Sequence, residues 1–326
     1  LLANYKNRPA YRGTVLFYRI DRKLTVVLKN MDYHKEDSII FLDGKFVTAK
    51  EASSNLFSQT IHYGYGAFEG IRSYYTINGT KIFKPYEHFD RLINSCRLLN
   101  IPFNYSLEEL TQISYQILEK NNLTYAYIRP LVMAGENMAL STSQESSLMI
   151  CAWEWDKYFN HREVAVCISS YQRPNPKSTK LGAKACGHYV NSILANNEAR
   201  ERGFDEAIML DANGFVAEGP GANFFYEKDG VLYTPPAGSI MPGITRQTVL
   251  EICREMELPV KEKLFRPEEL FDADCAFFCG TATEITAIDS IEGQKLNKPW
   301  KGSLCAIVQE AFKNMVMEKS HAYVIV

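Results

Sequence analysis

Gly182-Ala183-Lys184-Ala185-Cys186-Gly187-His188-Tyr189 sets one lysine among small side chains, a little past the middle of a chain of 326 residues. Small neighbours leave room around an amine, which suits a nucleophile that must meet another molecule covalently. A lone lysine in such a loop is more often a solvated charge, so the segments on either side have to decide. Downstream, strand 206–211 and the turn Asn213-Gly214 lead through strand 215–218 into Glu218-Gly219-Pro220-Gly221-Ala222-Asn223. Pro242-Gly243-Ile244-Thr245-Arg246 then enters a helix, and Thr245 can offer a hydroxyl beside free backbone N–H groups. Helix starts of this kind favour phosphate. Gly280-Thr281-Ala282-Thr283, after strand 275–279, is a second tight turn rich in N–H donors.

Upstream lie His62-Tyr63-Gly64, then Phe68-Glu69-Gly70-Ile71-Arg72, then Tyr127-Ile128-Arg129-Pro130. Side chains alternate along a strand, so strand 124–134 puts Tyr125, Tyr127 and Arg129 on one face. The glycines of Gly64-Tyr65-Gly66-Ala67-Phe68-Glu69-Gly70 do not make a dinucleotide fingerprint, because the third comes one residue late. GxxxxGK[ST], HExxH and GxSxG are all absent, which removes the anchors of nucleotide, zinc-protease and serine-hydrolase chemistry.

Taken in order, the Lys184–Tyr189, Glu218–Asn223, Pro242–Arg246 and Gly280–Glu284 segments resemble the fold-type IV enzymes that use pyridoxal 5'-phosphate (PLP). The upstream segments are similar to branched-chain amino acid aminotransferases in particular, and the resemblance runs from Ile39 to the final helix. It implies an α/β protein of two domains, a smaller N-terminal α/β domain and a larger C-terminal pseudo-barrel. It also implies transamination between leucine, isoleucine or valine and 2-oxoglutarate, with amino acids and 2-oxo acids as partners and a homodimer or higher homo-oligomer as the assembly. Carried over residue by residue, Lys184 is the catalytic lysine that carries PLP. Glu218 faces the pyridine nitrogen and Tyr189 bonds the ring oxygen. Arg91, the N–H groups of Ile244 and Thr245, and Thr281 hold the phosphate. The N–H groups of Thr281 and Ala282 take the substrate α-carboxylate. Tyr63, Phe68, Trp155 and Tyr158 wall an apolar pocket, while Arg129 with Tyr127 accepts the distal carboxylate of glutamate.

Two positions depart from the family pattern: Cys186-Gly187-His188-Tyr189 stands where Gly-Gly-Asn-Tyr is common, and Ala222 where many relatives have an acid. His188 is expected to be a supporting hydrogen-bonder rather than a catalyst. The alternatives on the same fold are an aminodeoxychorismate lyase and a D-amino acid aminotransferase, with a non-catalytic PLP-binding regulator behind them. The intact segments at 68–72 and 127–129 favour the branched-chain reading.

Bulk properties agree. Hydrophobic residues make up 46% of the chain, enough for a large core, and 38 acids against 36 bases give a net charge of −2. That balance argues against nucleic acid or an anionic membrane as partner. The eight cysteines form no CxxC pair, and most lie in apolar runs such as Leu148-Met149-Ile150-Cys151. Cys275 and Cys279 could share a strand face, but no further ligand pair accompanies them, so no metal is expected. Reduced thiols and the lack of a secretory signal point to the cytoplasm.

Periodicity gives the rest. Strand 39–42, the turn Asp43-Gly44 and strand 45–47 form a hairpin. Helix 87–99 carries the stripe Phe89, Leu92, Ile93, Cys96, Leu99, and Ser106-Leu107-Glu108-Glu109 is a capping box opening a helix to Lys120. Strand 148–155, strand 164–170, helix 189–202, strands 223–227 and 231–234, a helix from Thr245 and a last helix over 303–318 follow. The expected organisation is an N-terminal α/β domain over 31–156, a linker at 157–163 and a PLP-binding domain over 164–326. Residues 1–30 carry seven basic residues against the single acid Asp21 and match no family element. They are expected to stand outside the catalytic fold.

Overall fold

The computed structural model describes residues 33–155 and 163–319. The expected extension at 1–30, nearly all of the expected linker, and Tyr158 lie outside these residues. Two sheets, each with its own core, organise the compact unit that begins at Tyr33.

The first sheet contains β1 (Ile39–Leu42), β2 (Lys45–Thr48), β3 (Gly66–Phe68), β4 (Ile71–Thr76), β5 (Gly79–Ile82), β6 (Ala126–Ala134) and β7 (Ser146–Glu154). Its order is β2-β1-β7-β6-β4-β5, and β3 also pairs with β6. β3 and β4 therefore run along the same edge of β6, interrupted only by Glu69 and Gly70. Around it lie α1 (Gln59–Tyr63), α2 (Pro85–Leu98) and α3 (Leu107–Lys120). The stripe read from sequence is the buried face of α2: Phe89, Leu92, Cys96 and Leu99 are all buried, with Ile93 packed against them. α2 starts two residues earlier than expected because Pro85, with its fixed φ and missing N–H, is well suited to the first helical turn. The reciprocal bonds of the α3 capping box, between Ser106 and Glu109, are both present.

The second sheet contains β8 (Val164–Ile168), β9 (Glu206–Leu210), β10 (Val216–Glu218), β11 (Asn223–Lys228), β12 (Val231–Thr234), β13 (Val260–Glu262), β14 (Cys275–Gly280), β15 (Glu284–Ile291) and β16 (Gln294–Lys295). Its path is β10-β9-β8-β15-β14-β11-β12-β13, and a further β10–β11 pairing closes the first six strands into a barrel. The α/β class and the barrel-like second half are as the resemblance implied.

Alternation builds this half. On β11, Phe224 points into the barrel core with Phe278 and Phe265, while Phe225 points out to Phe277, Val249 and Phe312. The outer face is covered by α5 (Ile244–Glu255) and α6 (Leu304–Val316), and α4 (Tyr189–Glu201) packs on β9. Each fully buried phenylalanine contributes roughly 1.5–3 kcal/mol. Among the described residues no helix is long and apolar enough to cross a membrane.

Candidate active site

Lys184 belongs to the second half of the chain but is held by the first. Its N–H donates to Ser95 Oγ on α2 at 3.0 Å. Its carbonyl accepts from the Phe68 N–H at 3.1 Å, and Ala185 forms a bridge with Ala67. Small residues at 183 and 185, both buried, let this segment lie flat against β3. The side chain then turns toward α4, where its Nζ donates to the Tyr189 hydroxyl at 2.6 Å. Phe68 lies beside both groups, its ring centroid 4.9 Å from Lys184 Nζ and 4.9 Å from the Tyr189 ring.

Lys184 and Tyr189 open on a cleft that Arg91, Arg173, Glu218, Ile244, Thr245 and Thr281 also line. Glu218 is 4% exposed. Its carboxylate lies 2.8 Å from Arg173 Nε and accepts from Asn223 Nδ2 at 2.9 Å and from the Met241 N–H at 3.1 Å. Burial is the largest influence on this carboxyl and moves it above the usual range, against the pull of Arg173 and the Met241 N–H. Nothing in the sequence marks Arg173, which sits in a Pro-rich loop and looks there like a surface residue.

The N-terminus of α5 also borders the cleft, with Gly243 as its cap and no side chain bonded to its first N–H groups. A Cβ at Gly243 would stand 1.9 Å from Asn223 Oδ1, so only glycine allows the helix to start here. Arg91 reaches this end, and its Nη1 donates to the Pro242 carbonyl at 3.0 Å. Its Nε and Nη2 donate to Glu69 at 2.6 and 2.8 Å. His88 Nδ1 lies 2.8 Å from the same carboxylate. Sequence places Glu69 within a motif but gives it no part; its partners lie a helix away and only folding brings them together.

Burial works to raise the Glu69 carboxyl, but Arg91 and His88 outweigh it and hold it well below the usual carboxylate range. Burial pushes the His88 imidazole below the ordinary histidine range, with Glu69 opposing. His88 is therefore unprotonated in the fold over a window in which the unfolded chain binds a proton. There the unfolded state holds more protons, so stability is full above about pH 6.5 and falls as the pH drops below it. Melting temperatures measured from pH 8 to 5.5 should fall less steeply for His88→Gln than for the parent. Equal slopes would place the acid sensitivity elsewhere.

Arg129 stacks 4.7 Å over Phe68 and 5.3 Å over Tyr127. Its Nη2 lies 3.4 Å from the Tyr127 hydroxyl, and its Nε is buried with no hydrogen-bond partner. It has no acidic partner among the described residues. The Tyr127 hydroxyl occupies the space a side chain at Gly70 would need, since a Cβ there would be 1.8 Å away. Trp155 packs 5.0 Å from the Tyr127 ring and donates from Nε1 to the Ala282 carbonyl at 3.4 Å. The turn that carries Thr281 and Ala282 is tied again to the first sheet by Glu284, 3.2 Å from Arg72 Nη1.

Phe68, Tyr127, Arg129, Trp155 and Ala282 are joined to the cleft through these contacts without lining it, and Tyr63 lies elsewhere. Tyr63 is 47% exposed and its hydroxyl donates to the Met138 carbonyl at 3.0 Å. It stands at the C-terminal end of α1, where the left-handed Gly64 turns the chain, and does not line the cleft. His188 supports rather than lines the cleft, with Nε2 2.6 Å from Thr179 Oγ1. Ala222 lies at the cleft wall, its methyl 3.4 Å from where a Cβ on Gly280 would stand. Among the described residues no cluster of histidine, cysteine and acids could hold a metal.

Residues 66–291 match the class IV amino-transferase family. A branched-chain-amino-acid aminotransferase of Pseudomonas aeruginosa is 38% identical over 299 residues, covering 90% of this chain and 97% of that protein. The structure of a branched-chain aminotransferase from Thermoproteus uzoniensis with norvaline superposes with TM-score 0.83 at 37% identity, covering 87% of this chain and 96% of the other. That of a branched-chain amino acid aminotransferase from Thermobaculum terrenum, in its PLP-bound holo form, gives TM-score 0.81 at 29% identity, with coverages of 87% and 96%. With Lys184, Tyr189 and Glu218 gathered at one cleft and likeness over nearly the whole length of these proteins, the chain belongs to the class IV aminotransferases, in the branched-chain aminotransferase family.

Proposed function

We propose that the protein exchanges amino groups between branched-chain L-amino acids and 2-oxoglutarate, with PLP bound in the Lys184 cleft. The cleft fits that cofactor: an amine beside a phenol, a buried carboxylate, and an uncapped helix start with a guanidinium beside it. PLP bound there supplies the electron sink that makes the substrate Cα–H acidic. Lys184 would hold it covalently, and its freed amine takes and returns the Cα proton. Tyr189 orients that amine through their hydrogen bond. Glu218, with its raised proton affinity, would share a proton with the pyridine nitrogen. The N–H groups of Ile244 and Thr245, with Thr281 and Arg91, would hold the phosphate. The N–H groups of Thr281 and Ala282 would take the α-carboxylate.

The observation that carries the choice of substrates is Arg129. A half-buried guanidinium, its Nε unpaired and with no acid partner among the described residues, lies over the face of Phe68, so one aromatic pocket offers both apolar surface and a cation. An aliphatic side chain and a distal carboxylate can occupy it in turn, as a two-substrate exchange requires. Steady-state assays with leucine, D-alanine and aminodeoxychorismate test the reaction class; turnover of leucine with 2-oxoglutarate is expected. Arg129→Ala should cost glutamate about 2 kcal/mol, or ~30-fold in kcat/KM, and leucine much less, because only glutamate brings a second carboxylate. Equal losses for both would make Arg129 structural.

A homodimer is part of this reading. Leu56, Phe57 and Ile61 beside α1, Leu140 nearby, and Val190 and Ile193 on α4 are all exposed. The Gln59 side chain bonds the Ala139 and Ser141 carbonyls, and the Gly187 N–H bonds the Gly64 carbonyl, which brings the segments carrying these exposed residues near one another, where a second copy would cover them. Tyr63 lies among them. The described cysteines are all free thiols, which suits a reducing cytoplasm.

A further inference from the structure

Glu69 is fully buried, at the interruption between β3 and β4, and its carboxylate accepts four hydrogen bonds. One oxygen accepts from Arg91 Nε at 2.6 Å. The other takes the Gly70 N–H at 3.2 Å, Arg91 Nη2 at 2.8 Å and His88 Nδ1 at 2.8 Å. Because a carboxylate only accepts, His88 must carry its proton on Nδ1. Fully buried and enclosed by these four donors, the carboxylate has no access to a substrate or cofactor, so Glu69 acts through its neighbours.

The neighbour that matters is Arg91. A guanidinium has five N–H donors. Glu69 takes two of Arg91's in a fork, and the Pro242 carbonyl takes a third. The remaining two belong to the nitrogens beside the α5 N-terminus, where Arg91 lines the cleft with Gly243, Ile244 and Thr245. Without the fork, a long side chain with several rotatable bonds would have to be immobilised each time the phosphate bound.

We propose that Glu69 is a positioning residue: its forked pairing with Arg91, braced by His88, aims the last two guanidinium donors at the cofactor phosphate. This rests on the reading that the α5 end of the cleft holds that phosphate. The proposal opposes simple electrostatics. Glu69 is an acid close to a phosphate dianion, so removing its charge should tighten phosphate binding if net charge ruled. If geometry rules, removing it loosens binding although the site becomes more positive.

The test is the rate at which PLP leaves the holoenzyme during dialysis against inorganic phosphate, together with the 31P resonance of the bound cofactor. Glu69→Gln keeps the shape and loses the charge; Glu69→Asp keeps the charge but, one methylene short, cannot close the fork. Both should release PLP at least about tenfold faster than the parent, with a displaced 31P resonance and the visible spectrum of bound PLP unchanged. Release as slow as the parent's, or slower, in either variant overturns the proposal, and Glu69→Asp supplies that measurement even if Glu69→Gln does not fold. Arg91→Gln is the control. If it too releases PLP at the parental rate, the phosphate reading itself has failed; if it releases fast while the Glu69 variants do not, only the positioning role has.

Discussion

Lys184→Ala should lose the visible absorbance of attached PLP and nearly all turnover, with kcat down on the order of 10⁴-fold or more. Two tasks vanish together. On the proposed reading, the amine that would hold the cofactor is gone, and so is the base that would move the Cα proton. No second group can take over, because Lys184 is the one lysine among the described residues lining the cleft. The fold should survive: residue 184 is pinned through its backbone to Ser95 and Phe68, and alanine keeps both bonds. Melting temperature should therefore change little while turnover collapses. PLP that borohydride still fixes to the protein in this variant would move the attachment site to another lysine.

What the sequence made legible depended on how local the cause was. α3 announces itself through Ser106 and Glu109, three residues apart, and its box forms as expected. The stripe of α2 is equally local. β15 is not legible: Glu284–Ile291 begins on a charged residue with φ 53°, in a hairpin-closing place where glycine is usual. α1 is a single short turn of helix, and β4 is buried along nearly its whole length, so neither shows a periodic pattern. Within the site, Lys184, Tyr189 and Glu218 emerge through resemblance, since nothing in composition marks them. Arg173 and Glu69 stay hidden because their roles exist only in pairs whose members are 45 and 22 residues apart in sequence. The resemblance puts Tyr63 in the pocket wall, but the left-handed Gly64 that follows it leaves it on the surface.

Glu218→Gln separates chemistry from stability, provided Arg173 is varied with it. Glutamine can still accept from Asn223 and the Met241 N–H, but it has no charge to share with a pyridine nitrogen. The proton shift should slow by roughly 10²–10³-fold in kcat, the range of a positioned acid–base group, while Lys184 and the phosphate contacts keep PLP bound. A second loss comes with the first. Arg173 and Glu218 have side chains 4% and 5% exposed, so the single change leaves a guanidinium buried without its counter-charge. Breaking such a pair on one side costs about 3–5 kcal/mol, which should lower the melting temperature by several degrees. Slow turnover in Glu218→Gln could then reflect a loosened fold. In Arg173→Met/Glu218→Gln no orphan charge remains, and the melting temperature should return most of the way to the parent's. The deficit in kcat should stay. Recovery of turnover along with stability would reduce Glu218 to the partner of Arg173 and remove it from the chemistry.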